Sequence, residues 1–244
     1  MENTESNWKT YIPRKVPLNW YRFDLKFSIE LLEVFVKNAE SQIDLSIQEY
    51  SKKKKTLVLD EMPETNTARI IDIHQGLDSE SWDIDGIFKE YFPTLQRRSA
   101  FLSLYGFLEH ELDKLCMLYK KSQNQNVDFR DLKDLGIERS VKYLMIVARL
   151  PIEKGDNKWR NIKSIQKIRN LIIHNDGKLI DLDSLPRKTE QRIVSDNEFL
   201  SGENEINIQK GYLLYVLETF DSFFKYVDGL IQDQSRIITV TNKK

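Results

Sequence analysis

The chain has 244 residues, with 37 Lys and Arg against 38 Asp and Glu and a formal net charge of −1. That length can bury a substantial core, as one large domain or two small ones, and near-neutrality excludes a global basic field drawing the protein to nucleic acid or lipid. Charged residues make up 31% and hydrophobic ones 40%, a globular balance, and only 9 Gly and 6 Pro leave few turns and favour long helices.

The N-terminus MENTESNWKT is polar, and no apolar signal-like region or run of 18 apolar residues follows, so the expectation is a cytoplasmic protein without a membrane span. A single cysteine, Cys116, fits a reducing compartment and reads as a small buried hydrophobe in a helical run. Residues 1–23 form a polar and aromatic arm with Trp8, Trp20, Pro13 and Pro17. From Asp24, read as an N-cap, to Tyr50 the residues Phe27, Leu31, Leu32, Val34, Phe35, Ile43 and Ile47 recur mostly at three- and four-residue spacings, predicting a long amphipathic helix. The lysine run 52–55 reads as a solvated cluster or as an RNA contact. TLVLDEM and ARIIDIH read as short strands or extended loop, with His74 structural or solvated.

A second long helix is expected from about Asp85 to Lys121, interrupted or restarted near Pro93, then a shorter one over about 138–150 ended by Pro151. The next helix spans about 158–174 and is closed by Asn175-Asp176-Gly177, with Gly177 suited to a left-handed C-terminal position. RIVSDNEFL and EINIQ around SGEN suggest a small β-hairpin at about 190–208. The last helix, about 209–231, places Tyr212, Tyr215, Val216, Phe220, Phe223, Phe224 and Val227 in the core. The sum is an all-α, up-and-down helical bundle with one inserted hairpin: an arm at 1–23, a helix and loop at 24–85, and the bundle at 86–244, together one structural domain.

Chemistry concentrates in IQKIRNLIIHNDG, residues 165–177. A helix turns about 100° per residue, so Asn170 and His174 share one face. Ile162, Ile165, Ile168 and Ile172 average about 170° away, which puts the histidine off the apolar stripe. Arg169 is offset from His174 by about 140°, but its long stem can carry the guanidinium round to the polar face. Ile173 stands amid these polar groups and hints at a covered face. Between Arg139 and Lys178 there are ten basic and three acidic residues, a net +7 that leaves −8 for the rest of the chain. Lys158, Arg160, Lys163, Lys167 and Lys178 are the candidate phosphate contacts in that window, against the plain reading of a solvated helical face.

Other chemistry falls away. His110-Glu111 begins like a zinc-protease helix, but Lys114 stands where the second histidine belongs. No metal-ligand spacing, Gly-rich phosphate loop or nucleophile elbow is present, and no cofactor is expected.

KIRNLIIHNDG at a helix end in an all-α bundle resembles the HEPN superfamily, whose ribonuclease members carry an R-x(4–6)-H motif. Here that motif is Arg169, four residues, and His174, with Asn170 as the polar residue after the arginine. The resemblance extends to RRSAFLSLYGFLEHELDKLC and the aromatic last helix, about residues 90–232. It implies a metal-independent endoribonuclease of toxin or phage-defence type, acting on RNA as a homodimer whose motifs share a cleft, with an antitoxin or regulatory protein as a further partner. It also implies a non-catalytic alternative, a module binding RNA, nucleotide or protein. Glu109, on the long helix, is a candidate for orienting Arg169 or His174, or else an ordinary surface carboxylate.

Overall fold

The structure, a computed structural model, describes residues 16–62 and 67–241, so the first part of the expected arm, with Trp8 and Pro13, lies outside the described residues. It is 65% helical, with six helices and small antiparallel sheets. The helices are α1 (Lys26–Lys53), α2 (Phe92–Ser122), α3 (Gly136–Ile146), α4 (Asn157–Asn175), α5 (Lys188–Ser195) and α6 (Tyr212–Thr241). The strands are β1 (Lys55–Met62), β2 (Thr67–His74), β3 (Leu77–Asp78), β4 (Leu200–Ser201) and β5 (Asn207–Ile208). No described helix is long and apolar enough to cross a membrane. The described residues divide into two compact units: residues 16–26, 107–154 and 223–241, and residues 27–62, 67–106 and 155–222.

In the first unit, Trp20 is buried and meets Phe224 edge-on at 5.6 Å, and Phe107 meets the same ring at 6.1 Å. Tyr21 N–H donates to Asp228 Oδ1 at 3.0 Å. This anchored start changes the expected helix entry. A wide turn over Tyr21–Leu25, closed by Lys26 N–H to Tyr21 O, leads straight into α1, and Asp24 lies inside that turn rather than capping it. Cys116 is buried and its thiol donates to Ser140 O at 3.4 Å; burial pushes the thiol pKa up. Lys114 pairs with Glu111 at 3.0 Å, an ordinary helical ion pair where a zinc ligand would have stood. α3 ends at Ile146 instead of running to Pro151. Arg149 turns left-handed (φ 59°), and Leu150, just before the proline, returns its N–H to Leu144 O at 2.9 Å.

In the second unit, α1 buries Ile29, Val36, Glu40, Ile43 and Tyr50. Four residues assigned to its core from spacing face solvent instead: Phe27 at 73%, Leu31 at 71%, Val34 at 55% and Phe35 at 40% exposure. Helical spacing cannot choose between two apolar stripes on opposite sides. Tertiary partners choose, here Arg97, whose Nε and Nη2 hold the buried Glu40 carboxylate at 3.1 and 2.9 Å. The two uncertain segments are strands: β1 and β2 pair antiparallel, and β2 pairs β3 across the Gln75-Gly76 turn.

The helical region restarts next to Pro93, as expected, with α2 beginning at Phe92. A wide turn over Ile87–Tyr91 precedes it, with Phe92 N–H reaching Ile87 O. Widening the turn accommodates a residue that lacks an N–H and whose ring crowds the carbonyl four positions back. The expected hairpin at 190–208 shrinks. RIVS belongs to α5, started just after Pro186, and only Leu200–Ser201 pairs with Asn207–Ile208. α6 buries Tyr212, Val216, Phe220, Phe223, Phe224 and Val227 as expected, with Tyr215 half-buried. Phe101 and Tyr105 of α2 meet Tyr212 at 5.4 Å and Phe220 at 6.4 Å within this unit.

Candidate functional site

α4 starts at Asp156, whose side chain accepts the Lys158 N–H at 2.7 Å, a direct N-cap. Its buried stripe is Trp159, Ile162, Ile165, Ile168 and Leu171. Leu171, not Ile172, continues it. A three-residue spacing falls about 60° short of a full turn at each step, so the buried sector winds round the helix. What remains open is one face carrying Arg160, Lys163, Lys167, Asn170 and His174, all within about 40° of His174 on the helical wheel. Arg160, Lys167 and His174 are exposed; Lys163 and Asn170 are half-buried. This face runs about 21 Å along the helix axis. Lys158 points about 160° away from His174 and does not belong to it.

The helix ends in two consecutive left-handed residues, Asp176 (φ 50°) and Gly177 (φ 75°), whose N–H groups both reach Leu171 O. Left-handed geometry at Asp176 as well as at Gly177 extends the expected cap by one residue. The chain then runs beside the β4–β5 loop: Ile206 N–H donates to Gly177 O and Leu179 N–H to Asn204 O, each at 2.8 Å. Arg98, its side chain only 5% exposed, ties these strands to the helix end. Its Nη2 donates to Ile206 O at 2.7 Å and to Glu205 Oε1 at 2.8 Å, and Nη1 to Asp176 O at 3.3 Å.

Past Leu179 the chain doubles back. Asp181 Oδ1 accepts the N–H groups of Asp183 and Leu185 at 2.9 and 2.8 Å, and Arg187 N–H returns to Leu179 O at 2.8 Å. This turn folds Arg187 toward α4, where its Nη2 donates to Asn175 Oδ1 at 2.7 Å. Between the turn and the helix end lies an open cleft of about 640 Å³, lined among others by Ile173, His174, Asp176, Lys178, Asp181 and Arg187. Lys178 and Arg187 supply positive charge there, against the carboxylates of Asp176 and Asp181.

The sequence motif is therefore divided. His174 and Lys178 line the cleft. Arg169 and Asn170 sit one turn back, joined by Arg169 Nη1 to Asn170 Oδ1 at 3.0 Å, and the guanidinium lies 5.3 Å from the Tyr105 ring centroid. Asn170 thus accepts from Arg169 rather than engaging the imidazole. Of the candidate phosphate contacts, Lys163 reaches Gln166, Arg160 donates to Asn157 at 2.5 Å, and Lys167 projects freely from the open face. Glu109 is half-buried on α2 and approaches Gly136, the first residue of α3, in the other unit.

No family model, curated protein or solved structure matches the chain.

The site's chemistry accordingly rests on its own groups: one exposed imidazole, guanidinium and ammonium donors, and amides that fix them. Among the described residues no cluster of three or more His, Cys, Asp or Glu is arranged as metal ligands. Arg187 and Asn175 escaped sequence reasoning. Arg187 stands nine residues beyond the basic window, and only the 180–187 turn brings it back. Arg98 carried a faint signal, a charged pair RR directly before the apolar run AFLSLYGFL.

Proposed function

We propose that this chain is a metal-independent endoribonuclease of HEPN type, acting on RNA at Arg169, Asn170 and His174 in a phage-defence or toxin–antitoxin setting. The observation that carries the reading is the exposed His174 at the mouth of a cleft with Lys178 and Arg187, at one end of the Arg160–Lys163–Lys167 face. A strand lying along that face would bring one phosphodiester to the imidazole. The 2′-oxygen attacks phosphorus as its proton passes to a base, the bond to the 5′-oxygen breaks, and an acid protonates the leaving oxygen. The products are a 2′,3′-cyclic phosphate and a 5′-hydroxyl. Imidazole serves either proton transfer, and guanidinium and ammonium donors stabilise the charge gathering on the non-bridging oxygens.

One motif supplies one histidine, and the reaction uses both a base and an acid. A two-fold homodimer that brings two motifs together supplies the pair. The apolar rim beside the cleft supports that arrangement: Ile173 is 45% exposed and Leu182 fully so.

The test is cleavage of total RNA and of a tRNA pool in the presence of a chelator by wild type and by His174→Ala. Loss of cleavage in a folded His174→Ala protein, with cyclic-phosphate ends in the wild-type products, is the expected result. Activity retained by the pure variant overturns the reading.

A second reading has its own observation. Arg169 rests over Tyr105 and on Asn170, outside the residues that line the His174 cleft. A HEPN-type module that binds RNA, nucleotide or a partner protein without turnover needs no change in that geometry. Recovery of intact RNA from a tight complex distinguishes it.

A further inference from the structure

A different part of the second unit is built from the last turns of α1, the β2–β3 turn and the wide turn before α2. Tyr50 and Phe88 stack at 4.9 Å with an interplanar angle of 10°. His74, at the end of β2, meets them edge-on at 5.0 and 4.7 Å, and Phe92 meets Phe88 edge-on at 5.3 Å. Beside these rings is a cavity of about 200 Å³ lined by His74, Phe92, Ser46, Glu49, Gln75 and Gln96. His74 is only 6% exposed and its side chain forms part of the cavity wall. An imidazole carries a donor or acceptor at each nitrogen. In this wall it can hydrogen-bond to a molecule that enters the cavity.

The chemistry of the occupant follows from the walls. An aromatic cage for a cation needs open ring faces on several sides. Tyr50 and Phe88 spend a face on each other, and the ammonium groups of Lys54 and Lys89 lie 6.0 and 5.7 Å from the Tyr50 centroid. Phe92, 39% exposed, retains open ring surface. Around it stand His74, Gln75 and Gln96, each offering both a donor and an acceptor. The volume is below the roughly 300–1,000 Å³ of drug-sized sites, so one ring system fills it. Groups that both donate and accept beside an aromatic surface suit the edge of a nucleobase.

Charge at the rim agrees. The lysine run that the sequence singles out lies here: Lys53 pairs with Glu49 of the cavity wall, Lys54 pairs with Asp72 at 2.7 Å, and Lys52 and Lys55 are exposed. A basic track beside an aromatic surface is how proteins hold single-stranded nucleic acid.

We propose that the cavity beside His74 is a nucleobase-binding site, in which a base stacks on Phe92 and its edge bonds to His74, Gln75 and Gln96. The base arrives either on a free nucleoside or on a single-stranded RNA whose phosphates meet Lys52 and Lys55. The site stands apart from the His174 cleft and does not depend on catalysis there.

The experiment uses the full chain carrying His174→Ala, so that no cleavage consumes the probe. Adenosine, guanosine, cytidine and uridine are titrated calorimetrically, and fluorescein-labelled adenosine and uridine hexanucleotides by anisotropy at two salt concentrations. Phe92→Leu and Gln96→Ala, both at exposed positions, are added to the same background, with a thermal melt to check folding. Binding of at least one nucleoside or hexanucleotide, weakened about tenfold by each variant, is expected. Equal affinity for nucleoside and strand, independent of salt, identifies a free-nucleoside site. Tighter, salt-sensitive binding of the strand, reduced by Lys52→Ala with Lys55→Ala, identifies an RNA subsite. No binding of any probe at millimolar concentration, or unchanged binding by both folded variants, overturns the proposal.

Discussion

Replacing Gly177 by alanine tests how the end of α4 is held. Gly177 has φ 75°, and a Cβ built there comes 2.5 Å from Arg98 Nη2, 2.8 Å from Arg98 Cζ and 2.9 Å from Ile206 Cγ2. Two costs arise. A side chain at a left-handed residue costs about 1 kcal/mol. The guanidinium must also leave a position where it holds Ile206 O, Glu205 and Asp176 O, and hydrogen bonds to a charged group contribute about 1.5–3 kcal/mol each. Partial realignment of two such bonds brings the expected loss to about 3–5 kcal/mol. Gly76 separates the two costs, because it has φ 84° but no atom within 4 Å of its Cβ position. Urea denaturation followed by far-UV circular dichroism should show Gly76→Ala losing about 1 kcal/mol and Gly177→Ala several times more. Equal losses for the two would refute the role assigned to Arg98.

Two further outcomes follow from buried and partly exposed ion pairs. Glu40→Ala leaves the Arg97 guanidinium buried without its carboxylate and should cost about 3–5 kcal/mol in the same denaturation assay, while Glu40→Met with Arg97→Met together should recover most of the loss. Asp72 is held below the usual carboxylate range by the Lys54 ammonium and then Thr56, and Asp85 by the Tyr50 hydroxyl and then Lys89. A depressed folded-state pKa contributes stability above the unfolded value of about 3.9 that disappears as pH falls through the folded value. Asp72→Asn with Asp85→Asn should therefore lower the urea midpoint near pH 6, and that difference from wild type should shrink in acid; a gap that widens on acidification contradicts the pairing.

How far the sequence could be read depended on whether its signals were local. Asp156 and the Asn175-Asp176-Gly177 end are capping chemistry confined to a few residues, and α4 starts and stops there within a residue. The last helix carries one dense aromatic stripe, which leaves a single way to bury it. α1 carries two, and nothing local says that Glu40 rather than Phe27 or Leu31 faces inward; Arg97, 57 positions away, does. RIVS has adjacent apolar residues compatible with strand or helix, and its helical state follows from a start just past Pro186. At the candidate site His174 could be separated from the apolar stripe by helical geometry alone. Arg187 could not be placed there, because its position depends on the whole 180–187 turn closing on Leu179.

The division of the motif sets a requirement on the proposed chemistry. Arg169 rests over Tyr105 and on Asn170, whereas His174 faces the cleft. For the guanidinium to reach a phosphate beside His174 it must leave the ring, at a cost of about 0.5–2 kcal/mol, and surrender a hydrogen bond worth about 1 kcal/mol net. A charge-assisted, bidentate contact to a phosphate offsets losses of that size. The resting arrangement is therefore compatible with an enzyme whose arginine engages only when RNA is bound. It is equally stable in a protein that never turns over, since the same contacts need no substrate. What separates the cases is how much of Arg169's interaction is made only in the transition state: an arginine that acts there lowers the rate of cleavage when removed, and one that only positions Asn170 lowers RNA affinity.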